Sequence, residues 1–231
     1  MKVYELKVKV FLLKDIPYNK VLEKNAAFID VTLGKDPRWA KMHETNGVKG
    51  YSLGGLMPIE RKGIYHEGRI YEFSVRTVRP DLAEYLHIQL ADTKSNEIKG
   101  LTAEKKIISK KMIQRIYSLT PVILKTDRGY WRSYESVDFF EQQIKNNLIK
   151  KYNTLFHTKL DENFTLYTQI KFDNEKPVAT PYKNVKLLGD KVTMMISNNE
   201  TAQELAYLSL GCSLGNMGSR GFGFMGYVYY K

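Results

Sequence analysis

From Tyr4 to Leu12 the chain alternates polar Glu5, Lys7 and Lys9 with apolar Leu6, Val8, Val10 and Leu12, the two-residue period of a strand with one buried face. Pro17 then opens a helix whose apolar positions Leu22, Ala26, Ile29 and Leu33 recur at helical spacing. A second helical piece, Pro37 to His43, leads into the polar loop Glu44 to Gly50. Two strand-like runs, Tyr51 to Pro58 and Gly68 to Val78, are joined through Glu60-Arg61-Lys62-Gly63, a hairpin signal. Pro80-Asp81 starts another helix with Leu82, Leu86 and Leu90 on one stripe, and a basic strand region from Glu104 to Tyr117 follows. The order is strand, helix, strand, strand, helix, strand.

The second half repeats this order. Leu119 to Lys125 reads as a strand, and Ser136 to Tyr152 as a helix with Val137, Phe140, Ile144 and Leu148 inward. Phe164 to Phe172 and Val185 to Ile196 read as strands around the loop Asn174-Glu175-Lys176-Pro177. Ser197 to Leu208 reads as a capped helix that Gly211 stops, and the alternation after Phe222 gives a last strand. Two βαββαβ units in tandem predict an α+β fold of two ferredoxin-like domains, residues 1–117 and 118–231, each with two helices on one face of a four-stranded antiparallel sheet.

The connection between the last helix and the last strand is unlike the rest of the chain: Leu210 to Gly226 holds six of the protein's 16 glycines. Glycine loses more backbone entropy on ordering than any other residue, so a run of it implies close approach of something to the backbone. Gly221-Phe222-Gly223-Phe224-Met225-Gly226 is a literal G-x-G-x-x-G, but a dinucleotide site needs a strand before it and a helix after it. Arg220 to Tyr227 also fits the aromatic strand of RRM domains except for Met225, yet the helix and strand that would follow in an RRM are absent.

Charge narrows the partner. Among 231 residues, Lys+Arg 36 against Asp+Glu 25 gives +11, which favours a polyanion. A single cysteine, Cys212, excludes an internal disulfide and any multi-thiolate metal site, and suits a reducing compartment. No apolar run is long enough to span a membrane and the start does not read as a signal peptide, so a cytoplasmic protein with no membrane partner is expected. No histidine pair has metal-ligand spacing and the carboxylates are not clustered, so neither a metal nor another cofactor is expected.

The glycine run Gly211 to Gly223, the doubled βαββαβ order and a histidine in the loop after the first helix together carry a resemblance. The chain resembles the CRISPR-associated endoribonucleases that process precursor CRISPR repeat RNA, members of the repeat-associated protein superfamily. The resemblance implies metal-free cleavage within the repeat, in which a ribose 2′-hydroxyl attacks its own 3′ phosphate and leaves 2′,3′-cyclic phosphate and 5′-hydroxyl ends. It implies His43 as the proton-transfer group and Lys49 as the cation at the phosphate, at the spacing found in family members. Family members often add a tyrosine from the first helix; Phe28 stands there in this chain, and Tyr51 is the nearest substitute. RNA phosphates are expected against the glycine loop, at Gly215, Gly218, Ser219, Arg220, Gly221, Phe222 and Gly223, with Lys105 and Lys106 assisting. The implied partners are precursor CRISPR RNA and other CRISPR-associated proteins, with the chain a monomer or homodimer. The alternative is a non-catalytic RNA-binding subunit of a CRISPR ribonucleoprotein, which shares the duplicated fold. Of the other histidines, His66 lies near Arg61, Lys62 and Arg69 and could face RNA, whereas His87 and His157 read as structural.

Overall fold

In the computed structural model, which describes residues 1–231, the alternating first segment forms β1 (Val3–Leu12), with Leu6, Val8, Val10 and Leu12 buried. It is followed by β2 (Ile16–Pro17), α1 (Val21–Leu33), α2 (Pro37–Glu44), β3 (Tyr51–Leu53), β4 (Ile64–Tyr65), β5 (Ile70–Thr77), α3 (Pro80–Gln89) and β6 (Ile98–Ile108). An antiparallel sheet has the order β3-β5-β1-β6, and the short β2 and β4 pair as a separate ribbon.

The second half contains β7 (Ile113–Ser118), α4 (Val137–Phe156), β8 (Tyr167–Phe172), β9 (Val178–Tyr182), β10 (Val185–Gly189), β11 (Val192–Ile196), α5 (Glu200–Cys212) and β12 (Met225–Tyr229). Its antiparallel sheet has the order β12-β7-β11-β8. In both sheets the first and third strands of the unit are central and the fourth and second flank them, which is the ferredoxin-like arrangement twice over.

Several boundaries differ from the sequence pattern. The basic region Glu104 to Tyr117 is two strands in two sheets, because β6 ends at Ile108 and β7 starts at Ile113. Leu119 to Lys125 is not a strand: Val122 and Ile123 make only isolated bridges, to Asp190 and Asn216, and Pro121 has no N–H to give a ladder. A domain division at 117/118 would cut β7 from its own sheet; we propose that the division falls within residues 109–112. The run Val185 to Ile196 also splits. Gly189 passes so near residues 121–123 that a Cβ there would lie 2.7 Å from the Val122 carbonyl oxygen, and β9 and β10 fold into a hairpin of their own.

The two halves are packed together through α5. The helix does not stop at Gly211 but runs on to Cys212, and a Cβ at Gly211 would lie 2.7 Å from Val78 Cγ1. Glycine there lets the helix lie directly on the end of the first sheet, where Ser52 Oγ donates to the Gly211 carbonyl (3.2 Å). Val3, Val78 and Ile108 join the apolar core of the second half. Arg76 of β5 donates to the Met225 carbonyl (2.6 Å) and stacks over Phe224. These contacts hold the glycine loop against α1 and β3.

Candidate active site

The short α2 begins with Asp36, whose side chain accepts from Arg38 N–H (2.8 Å), and with Pro37 at its first position. Trp39, fully buried in the first core beneath Arg38 and Arg79, anchors it. His43 therefore occupies the last turn of a helix that is fixed at its other end. Lys49 folds back over that last turn and donates to the carbonyls of Met42, His43 (2.8 Å) and Thr45. A cation at a helix C-terminus satisfies carbonyls that lack intrahelical partners and meets the negative end of the helix dipole.

His43 faces α1. Its Nδ1 stands 3.3 Å from Asp30 Oδ1, an ion-pair distance without hydrogen-bond alignment. Its Nε2 lies 3.1 Å from Arg220 Nη2. A guanidinium can only donate, so Nε2 is the acceptor and the imidazole proton sits on Nδ1, toward Asp30. Arg220 Nη1 closes the triangle with Asp30 Oδ2 at 2.5 Å. Asp30 is in the last turn of α1, where the helix dipole disfavours a carboxylate, and the two groups facing it offset that cost.

Burial pushes the His43 pKa below the ordinary histidine value; Asp30 opposes this, and the Arg220 and Lys49 charges add to it. The imidazole is thus neutral near pH 7. Burial and then Arg220 lower Lys49 in the same way, with Asp30 opposing. Burial works against the Arg220 charge as well, yet Asp30 more than offsets it and the guanidinium pKa rises.

Arg220 reaches this place because the glycine loop is tightly folded. A 3-10 turn spans Gly218–Arg220, flanked by left-handed Met217 and Gly221. Lys151 of α4, buried, donates to the carbonyls of Cys212 (3.0 Å), Ser213 (2.8 Å) and Gly215 (2.7 Å) and so ties down the loop entrance. A Cβ at Gly223 would lie 1.9 Å from the Leu214 carbonyl oxygen, and one at Gly218 would lie 2.1 Å from Ser213 Oγ. At Gly215 the nearest atom would be the Ile123 carbonyl oxygen at 2.7 Å, and at Gly221 it would be Leu22 Cδ2 at 3.0 Å.

Close approach is therefore to the protein's own backbone and side chains. The Gly221 and Gly223 amides donate to the Gly218 and Pro121 carbonyls (3.0 and 2.8 Å), which corrects the expectation that they are free for a phosphate. Phe222 is buried against Tyr182 rather than offered to a base. Gly218, Ser219 and Arg220, the three residues of the turn, are all partly exposed.

Of the residues expected from sequence, His43, Lys49, Tyr51, Ser219 and Arg220 converge. Tyr51 is 2% exposed and its hydroxyl has no hydrogen-bond partner; burial first, and Asp30 second, hold its pKa far above the usual tyrosine range. It is a neutral wall of the site, not a group that meets solvent. Lys105 and Lys106 lie on β6, paired with Glu84 and Glu5 and not with the cluster. His66 is partly exposed beside the ribbon, 3.7 Å from Asp15. Asp30 and Tyr182 were missed. A carboxylate beside Ile29 at the C-terminal turn of α1 was a readable sign that a cation must meet it. Tyr182, from the β9–β10 hairpin, is 8% exposed and senses the charges of Arg220 and Asp30. No three His, Cys, Asp or Glu side chains converge in metal-binding fashion.

Residues 102–227 match the family model described as CRISPR associated protein Cas6, C-terminal. No curated protein matches the chain in sequence. Among solved structures, a CRISPR associated protein Cas6 is similar at 20% identity and TM-score 0.72, with 98% of this chain and 99% of that chain covered. The product of a Cas6-related gene from Pyrococcus furiosus is similar at 16% identity and TM-score 0.70, over 99% and 100% of the two chains. A RAMP protein binding different RNA substrates is similar at 17% identity and TM-score 0.73, over 97% and 99%.

Proposed function

Since the chain belongs to the Cas6 family of CRISPR-associated proteins, we propose that it is an endoribonuclease that cuts precursor CRISPR RNA within its repeats without a metal ion, leaving 2′,3′-cyclic phosphate and 5′-hydroxyl ends. One observation carries this reading: a neutral imidazole, His43, sits against a guanidinium at the seam between two ferredoxin-like units of a chain with net charge +11. His43 Nε2 accepts the proton of the ribose 2′-hydroxyl. The 2′ oxygen then bonds to the adjacent phosphorus, the bond from phosphorus to the 5′ oxygen breaks, and that oxygen takes a proton from water. Depression of the His43 pKa suits it to the base role, since the reactive form is populated at neutral pH. The positive charge beside it favours the phosphate as negative charge builds in the transition state. Tyr51, buried and neutral, lies behind the site near Asp30 and Arg220. Repeat RNA runs along the seam, past Ser219 and Arg220, with Lys105 and Lys106 further out on the sheet.

The test is single-turnover cleavage of CRISPR repeat RNA in EDTA, with product ends identified chemically and affinity measured separately. His43→Ala should slow cleavage by about 10²–10⁴-fold, the worth of one positioned base, while RNA affinity stays nearly unchanged. Wild-type protein that binds repeat RNA and never cuts it would establish the RNA-binding-subunit reading instead, in keeping with the similar RAMP protein that binds different RNA substrates. Activity lost with chelator would refute the metal-free step.

A further inference from the structure

Two cations border His43, Lys49 from the loop after α2 and Arg220 from the glycine loop. Resting on the cleavage reading above, we propose that Arg220 is the catalytic cation that contacts the scissile phosphate, and that Lys49 is a positioning residue acting through the end of α2. The donor inventory separates them. An ammonium has three N–H groups, and those of Lys49 meet the carbonyls of Met42, His43 and Thr45. The Met42 carbonyl has a second donor in Thr45 Oγ1 (2.9 Å), but turning either of the other two N–H groups toward a phosphate would strip the His43 or Thr45 carbonyl of its partner and loosen the turn that carries His43.

Arg220 has five N–H donors in a planar fork. Nη1 is held by Asp30 Oδ2 at 2.5 Å and Nη2 rests on His43 Nε2 at 3.1 Å, while the side chain is 22% exposed. When a 2′-hydroxyl takes its place on Nε2, the Nη2 N–H loses that acceptor and gains a phosphate oxygen. The phosphorus under attack is adjacent to the 2′ oxygen in space, so a group in contact with the base nitrogen is also beside the phosphate. Asp30 keeps the fork from following the substrate out, because it holds Nη1 while Nη2 changes partner. The guanidinium thus exchanges one partner for another without leaving its carboxylate, and the new partner gains negative charge as the bond forms.

The experiment compares Arg220→Ala, Arg220→Lys, Lys49→Ala and His43→Ala in single-turnover cleavage of CRISPR repeat RNA at saturating protein, with affinity and thermal unfolding measured for each. Arg220→Ala should lose about 10²–10³-fold in rate, the cost of removing one transition-state donor, with affinity changed far less. Added guanidinium ion should restore part of the Arg220→Ala rate and none of the Lys49→Ala rate, since only the first variant lacks a guanidinium that touches phosphate. Arg220→Lys keeps a charge for Asp30, stays folded, and should fall between wild type and Arg220→Ala. If His43→Ala is slow while Arg220→Ala and Arg220→Lys cut at the wild-type rate, the assignment to Arg220 is wrong and the cleavage reading stands. If wild type does not cut, or His43→Ala cuts normally, the cleavage reading fails and takes this assignment with it. Rescue of Lys49→Ala by guanidinium or alkylammonium ions, with no rescue of Arg220→Ala, would return the charge role to Lys49.

Discussion

Replacing Gly223 with alanine should destabilise the fold before it touches RNA. The residue has φ 64, in the left-handed region, which costs a non-glycine residue about 1–2 kcal/mol. The added Cβ would stand 1.9 Å from the Leu214 carbonyl oxygen, so backbone on one side of the contact must move. That movement breaks two hydrogen bonds, Leu214 N–H to the Gly223 carbonyl (2.9 Å) and Gly223 N–H to the Pro121 carbonyl (2.8 Å), each worth about 1 kcal/mol net. The total is about 3–4 kcal/mol, which for a chain of this size lowers Tm by about 6–16 °C. Thermal and urea unfolding of Gly223→Ala measure it. Gly55→Ala is the control: its Cβ would meet only Val21 Cγ1 at 3.9 Å, an ordinary contact, and it should shift stability by under about 0.5 kcal/mol. RNA affinity of Gly223→Ala, measured well below its Tm, should remain near wild type. A variant with unchanged Tm that had lost repeat RNA would refute the packing argument and show that the glycine amides meet phosphate directly.

The pH dependence of cleavage has a defined sign: with His43 as a base of depressed pKa, the acid limb of the rate profile should lie below the ordinary histidine value of about 6.5. Asp30→Asn removes the charge that raises this pKa and should move the limb to lower pH, whereas Arg220→Ala removes one that lowers it and should move the limb higher. Global stability carries a second titration, because burial lowers the Lys151 pKa to about 8 from 10.5. The unfolded chain then binds more protons between those values, so the unfolding free energy of wild type relative to Lys151→Met should rise as pH increases from 8 to 10.5; a fall across that window in parallel urea titrations would refute it.

The repeated order of elements was legible in the sequence because it rests on periodicities that are local. The alternation in β1, the stripes Leu82-Leu86 and Phe140-Ile144-Leu148, and the caps Asp36-Pro37 and Asn199 all lie within a few residues of the structure they specify. The same holds for the glycine run and for His43 in the last turn of a short helix. What pairs with what across the chain was decided only by tertiary packing. Arg220 and Asp30 are 190 positions apart, and they meet because α5 lies on the first sheet through Gly211 and carries the loop to α1. Lys49 looks like a free cation in the sequence and is a helix cap in the fold; Tyr51 looks like a reachable hydroxyl and is sealed. The strand boundary at Ile108 and Ile113 depends on which sheet each segment joins, and one apolar and basic run reads alike for either. A sequence pattern states which faces are buried, whereas the identity of the surface that buries them, and hence the partner of each charge, is a property of the assembled chain.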